Sequence, residues 1–231
     1  MKKISSHSQP HYLGHRKRLK DKFLSAPDAL GDYELLELLL FQSIPRRDVK
    51  PLAKELLQKL GGLNQVINAE LPRILEIAGS GNNNIFTNFQ IIKQLISRVL
   101  KEQIINKNAI SSWSDLLNYL KFNMGNLKLE QFRVLFLNKK NVVIADEVMS
   151  NGTIDQTSVY PREVIKRSLY HEAGAIILIH NHPSGSSKPS QADIELTNKI
   201  VESCKAINVT VHDHVVISSS EFYSFKSNML L

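Results

Sequence analysis

The chain has 231 residues, 42% hydrophobic and 22% charged, a composition that excludes disordered and fibrous classes and leaves room for one or two domains with a sizeable core. A single cysteine, Cys204, excludes an intramolecular disulfide and fits a reducing compartment; the thiol reads as a small core residue. The formal net charge of +7 suits a polyanionic partner, DNA or RNA, and equally a solvated, solubilising face.

Along the chain, residues 1 to about 11 are polar, and the basic first residues are followed by no apolar segment, so no signal peptide is expected. No apolar run approaches ~20 residues, so no membrane span is expected either, and the cytoplasm is the expected location. From His15 to Leu100 the patterns are helical. The excess positive charge is concentrated here: Lys2, Lys3, Arg16, Lys17, Arg18, Lys20 and Lys22 stand against Asp21, and Arg46-Arg47 follow. Leu35 to Leu40 form a strongly apolar helix, and Pro51 opens another from its first turn. Pro72 to Ala78, then Gly79-Ser80-Gly81, then a helix from Phe89 to Leu100 resemble a helix-hairpin-helix unit. In such a unit, backbone N–H groups at the turn can hold a phosphate, which makes Gly79 and Gly81 candidate nucleic-acid residues beside Arg16, Lys17, Arg18, Arg46 and Arg47. A Gly-x-Gly turn is also an ordinary helix end.

Asn106-Lys107-Asn108 reads as the linker. Beyond it, a helix runs from about Ser112 to Met124, with Leu116, Leu117 and Leu120 on one face. Phe132 to Leu137 and Asn141 to Val148 read as strands joined by a turn at Asn138-Lys139-Lys140. A helix from about Pro161 to His171 leads to Ala175-Ile176-Ile177-Leu178-Ile179, a strand of buried type. A helix beginning at Ser190 and a strand from Val209 to Ile217 complete an alternation that indicates a layered α/β domain.

The buried strand runs directly into His180-Asn181-His182-Pro183-Ser184-Gly185. Side chains two apart on a strand share a face, so both imidazoles point the same way if the strand persists. Pro183 to Pro189 is a loop, and Asp193 lies in the first turn of the helix that follows. Two histidines and a carboxylate, with a fourth position left to water, make a catalytic rather than a structural zinc site. The plainer reading is a pair of strand histidines and a helix capping pair, Ser190 with Asp193. Ser190 can cap the helix and still face a metal, whereas Asp193 is expected not to serve cap and metal fully at once.

The spacing resembles the H-x-H-x7-S-x2-D motif of MPN-domain (JAMM) metalloproteases, with every motif position filled. The closer resemblance is to the bacterial RadC-like (UPF0758) family, whose H-N-H-P-S-G stands here as His180 to Gly185. The resemblance covers nearly the whole chain: Gly14 to Leu19, Glu34 to Leu40 and Ile44 to Lys50 early on, then Gly152-Thr153, Val159 to Val164, Asp213-His214 and Tyr223 to Phe225. It implies an α+β protein, with a helical, helix-hairpin-helix-like domain over 1–104 and an α/β MPN (JAB, cytidine-deaminase-like) domain over 109–231. It implies zinc-dependent peptide or isopeptide hydrolysis, one zinc per chain, on a peptide or protein substrate of unknown identity, and a link to DNA repair. His180, His182 and Asp193 would be the ligands. Glu130, directly before the first strand of the domain, would be the general base, with Glu147 the next candidate and Glu163 and Glu172 behind it. Ser190 would hydrogen-bond the oxyanion. His212 and His214, flanking Asp213, read as structural groups or supports for the ligands. A zinc deaminase would need P-C-x-x-C, which a chain with one cysteine lacks. The rival reading is a DNA-binding or recombination-associated accessory protein whose zinc site is structural or vestigial.

Overall fold

The computed structural model describes residues 11–152 and 159–231, with side chains from Gly14 onward, so Thr153 of the expected motifs lies outside the described residues. The fold is α+β, and it divides into two compact units, Met1–Leu95 and Ile96–Leu231, the division falling inside a long helix. Among the described residues no helix is long and apolar enough to cross a membrane.

The first unit is helical: α1 (His11–Ser25), a short 3-10 turn (Pro27–Ala29), α2 (Asp32–Ser43), α3 (Lys50–Leu60), α4 (Leu63–Asn68), α5 (Leu71–Ala78) and the beginning of α6 (Asn83–Ile104). Pro51 sits in the first turn of α3, where its missing N–H costs nothing. Leu36 and Leu40 of α2, Leu56 of α3, Ile74 of α5, and Ile85 and Phe89 of α6 share one core. The apolar helix α2 also buries a carboxyl group: Glu37 is inaccessible to solvent, with Oε1 2.7 Å from His15 Nε2. The helical hairpin is present, but its second helix begins at Asn83, earlier than the expected Phe89. Asn82 explains the shift. Its side chain donates to Ala78 O at 2.6 Å and so closes α5, freeing the next residue to open α6.

The second unit holds the end of α6, α7 (Trp113–Met124) and a five-stranded sheet: β1 (Gln131–Leu137), β2 (Val143–Asn151), β3 (Ala175–Asn181), β4 (Thr210–Ile217) and β5 (Phe222–Ser224), with α8 (Pro161–Tyr170) and α9 (Gln191–Lys205) between strands. The spatial order is β2-β1-β3-β4-β5. β1 is antiparallel to both neighbours, and β3 and β4 are parallel, joined by α9 as a parallel pair requires. Every residue of β3 is buried, which is why it reads as an unbroken apolar run. One face of the sheet packs Leu135, Ile177 and Ile179 on Leu116 and Leu120 of α7. The other packs Val134, Phe136 and Leu178 with Val164 of α8 and Ile200 and Cys204 of α9. The segment Asn106-Lys107-Asn108 is held against β2: Val143 O accepts from Asn106 N and Val143 N donates to Lys107 O, both at 2.9 Å.

Glu147 straps the edge strand to a helix. It accepts from Arg167 Nε at 2.6 Å, lies in contact with Arg167 Nη2, and meets His171 Nε2 at 2.8 Å. The Arg167 hydrogen bond is the main reason its carboxyl titrates below the ordinary value of 4.5. A carboxyl held low stabilises the fold above its ordinary pKa, and the contribution disappears as pH falls through the lowered one. Glu147→Gln is therefore expected to lose on the order of 1 kcal/mol at neutral pH, the scale of a partly exposed charged pair. Denaturant midpoints of both proteins, followed from neutral to acid, should converge; a gap that stays constant with pH would contradict the strap.

Candidate metal centre

The strand period places His180 and His182 on one face at the end of β3, as the H-x-H spacing implies. A turn then brings the chain back onto the second imidazole. Gly185 N donates to His182 O at 3.2 Å, and Gly185 has φ +93°, a conformation that glycine adopts without strain. The turn delivers Ser186 O to 2.8 Å from His182 Nδ1. A carbonyl can only accept, so His182 carries its proton on Nδ1 and turns the Nε2 lone pair to the cluster.

The third member comes from the start of α9. Ser190 is the N-cap: its Oγ accepts from Asp193 N at 3.2 Å, and its N and Oγ donate to Asp193 Oδ2 at 2.7 and 2.6 Å. Asp193 nevertheless faces both histidines, with Oδ1 3.3 Å from His180 Nε2 and Oδ2 3.5 Å from His182 Nε2. The expected conflict between cap and ligand is thus eased by dividing the carboxylate. Oδ2 takes the cap and also lies toward His182, and Oδ1 is left to His180.

The two Nε2 atoms are 3.0 Å apart. The 3.0 Å between the imidazole nitrogens, and the 3.3 and 3.5 Å from each to its own carboxylate oxygen, are on the scale of donor–donor separations around an ion with bonds of about 2.0–2.1 Å, the length of zinc–imidazole and zinc–carboxylate bonds. Among the described residues, His180, His182 and Asp193 are the group that can hold a metal ion. The donors fit zinc in type, number and spacing. Burial pushes the Asp193 carboxyl up, but the two imidazoles facing it outweigh burial and hold the group well below the usual carboxylate range. The His182 pKa is raised, because its doubly protonated form would donate from Nε2 to Asp193 and is favoured by the charges of Asp193 and Glu130.

Glu130 stands on the facing strand. β1 pairs antiparallel with β3, Phe132 opposite His180, so the residue two before Phe132 lies across from His182 on the same face. Asn181, between the histidines, points to the opposite face and fixes the backbone on either side of Glu130. Its Oδ1 accepts from Gln131 N at 2.8 Å and its Nδ2 donates to Leu129 O at 3.2 Å. Glu130 O also accepts from Gly152 N at 2.8 Å. The other carboxylates are placed differently. Glu147 is held by Arg167 and His171, Glu163 lies 3.5 Å from Arg162, and Glu172 follows α8 at the far end of β3.

Ser190 is not aimed at a free oxyanion position, because its hydroxyl proton goes to Asp193. His212 lies at the far end of β4 and shares a hydrogen bond with Asn141 Oδ1 at 2.5 Å. His214 is wholly buried and touches the centre: its Nε2 is 2.8 Å from His180 Nδ1, and its Nδ1 is 2.6 Å from Thr197 Oγ1. Burial drives its pKa well below the ordinary histidine value. Asp213 accepts from Ser224 Oγ and Lys226 N, which seats Phe225 on the His214 ring at 4.6 Å between centroids. Thr197 carries no motif signal; Asn181 stands inside the H-N-H-P-S-G motif, and a strand period of two already turns it away from the histidines.

Of the basic residues proposed for nucleic acid, Arg16 is taken up inside its own unit. It donates to Ile44 O and Arg47 O at 2.6 and 2.7 Å and lies 4.4 Å from the Phe41 ring centre. Lys17, Arg18, Arg46 and Arg47 are exposed. Gly79 and Gly81 are exposed, with φ +86° and +93°.

Residues 110–230 match the RadC-like JAB domain. A UPF0758 protein of Ruegeria pomeroyi is 46% identical over 220 residues, covering 94% of this chain and 98% of that protein.

Purified protein is expected to hold about one zinc per chain, since a single complete donor set is present among the described residues. His182→Ala removes one donor and should lose most of the metal on elemental analysis. Full occupancy in that variant would refute the assignment.

Proposed function

The chain belongs to the RadC-like JAB domain family, and from that premise we propose a zinc-dependent peptidase or isopeptidase-type hydrolase acting on a peptide or protein. The observation that carries this reading is the convergence of His180, His182 and Asp193, and the β1–β3 register, extended two residues past Phe132, supports Glu130 as the carboxylate opposite His182. When bound, zinc would acidify a water and polarise the scissile carbonyl. His180, His182 and Asp193 would hold it. Glu130 would take the proton of the attacking water and hand it to the leaving amine, a role that needs a carboxylate near the ligands and outside their set. Asn181 supports that role by holding Leu129 and Gln131, so the base does not drift. Ser190 would assist an oxyanion only after its hydroxyl turns away from Asp193. The single, buried cysteine fits a reducing, cytoplasmic setting, which we propose on the same footing.

Glu130→Gln keeps size and hydrogen-bonding capacity but loses the proton acceptor. Zinc content and thermal midpoint should stay near wild type, while turnover of a peptide substrate found by trapping falls by roughly 10²-fold or more. Asp193→Asn should lower metal and turnover together. Wild-type turnover in Glu130→Gln would place the base elsewhere, and loss of zinc from it would make Glu130 a ligand.

A second reading, nucleic-acid binding by the helical unit with a non-catalytic metal centre, has its own observation. Arg16 ties the segment carrying Arg46 and Arg47 to the helix carrying Lys17 and Arg18, gathering four exposed cations. Any link to DNA repair rests on this reading. Affinity for duplex DNA should then fall steeply with salt, and changing Arg46 and Arg47 to Ala should flatten the log–log slope by about two. An unchanged slope would remove these residues from the interface.

A further inference from the structure

We propose that Thr197 and His214 are positioning residues that fix the tautomer of His180, so that its Nε2 meets the metal as a lone pair. The inference rests on the metal-centre reading above, and its argument is one of hydrogen-bond direction.

Thr197 Oγ1 lies 2.5 Å from Asp193 O, one helical turn earlier on α9. A carbonyl oxygen cannot donate, so the hydroxyl gives it its only proton. The same oxygen lies 2.6 Å from His214 Nδ1 and, having no second proton, must accept there. His214 therefore carries its proton on Nδ1. The ring is fully buried between Phe225, stacked at 4.6 Å, and the edge of Phe132 at 5.6 Å, an apolar setting that disfavours a second proton. Its Nε2 is consequently a lone pair and accepts from His180 Nδ1 at 2.8 Å. With its proton held on Nδ1, His180 has only a lone pair left on Nε2, the atom that faces His182 Nε2 at 3.0 Å and Asp193 Oδ1 at 3.3 Å.

The chain of bonds is closed on one residue. The backbone carbonyl of Asp193 sets its direction, and the carboxylate of Asp193 receives its result. Back-bonding of a threonine to the residue four before it is ordinary in helices; a second, buried partner on the same oxygen is not. His182 needs no such relay, because Ser186 O orients it directly. The two ligands are thus oriented by unlike means, a carbonyl for one and a histidine–threonine pair for the other, and both leave Nε2 bare.

The test uses the full chain with Thr197→Val, which keeps the branched shape and removes the hydroxyl, and Thr197→Ser, which keeps the hydroxyl. Two-bond 1H–15N spectra of the metal-free wild type should show His180 and His214 both protonated on Nδ1. Zinc affinity, measured by competition with a chromogenic chelator, should fall roughly 10- to 100-fold in Thr197→Val and return to near wild type in Thr197→Ser, the range seen when a ligand loses its supporting partner. A His214 protonated on Nε2 in the wild type, or wild-type affinity in Thr197→Val, would overturn the relay. His182→Ala separates this from failure of the centre itself. If His182→Ala loses zinc while Thr197→Val does not, the metal centre stands and the relay falls; if His182→Ala keeps its zinc, the centre was misassigned and the relay falls with it.

Discussion

The pairing of β1 with β3 is the constraint on which the rest of the site depends. Phe132 opposite His180 fixes which residues of β1 look toward the histidines, and the period of two does the rest. A slip of one residue would send Glu130 to the α7 face and bring Gln131 in its place. Asn181 guards against that slip at its most sensitive point, because its amide bonds the chain on both sides of Glu130. The residue between the two histidines therefore holds the backbone around Glu130, and the H-N-H triplet is a single device with its two faces turned to different tasks. The buried strand behind it, apolar on both sides, gives the triplet a rigid origin.

The start of α9 is the second point where one group does two things. Ser190 and Asp193 form a reciprocal cap, which settles where the helix begins and so how far the carboxylate reaches. An acid in the first turn also gains from the positive end of the helix dipole, which favours its charged form with or without an ion beside it. The cost falls on Ser190, whose proton is tied to the carboxylate. Thr197 follows one turn further on, under the His214 imidazole that meets His180. The placing of the carboxylate, the start of the helix and the contact to His214 are in this way set by Ser190, Asp193 and Thr197 within the first two turns of α9 and its cap.

Much of this was legible in the sequence, and the reasons differ by residue. Ala175 to Ile179 read as a buried strand because nothing polar interrupts it, and the Ser190–Asp193 pair read as a helix start because caps are local chemistry. The helix containing Asn83 was expected to begin later, because three asparagines disguise its first turn until the Asn82 side chain is seen to close the helix before it. β5 and α4 are too short to show a period. Thr197 was invisible since its importance lies in a contact with His214, 17 residues away, and spacing along one helix says nothing about the strand packed against it. Glu147 reads as a rival base from sequence alone, because its partners, Arg167 of α8 and His171 just past the helix end, are about twenty residues away.

Arg16 shows how a charged residue can matter to a surface without belonging to it. Its guanidinium closes the end of α2 and holds the following segment by two carbonyls, while its neighbours in sequence carry the exposed charge. In an alanine scan scored by binding alone, Arg16 would rank among the most damaging positions of the basic cluster. The defect would belong to architecture and not to contact. Arginine and lysine would also part company there, since a single ammonium cannot span two carbonyls from that stem as the planar fork does. A scan that pairs each loss of binding with a melting curve would sort the scaffold from the contacts.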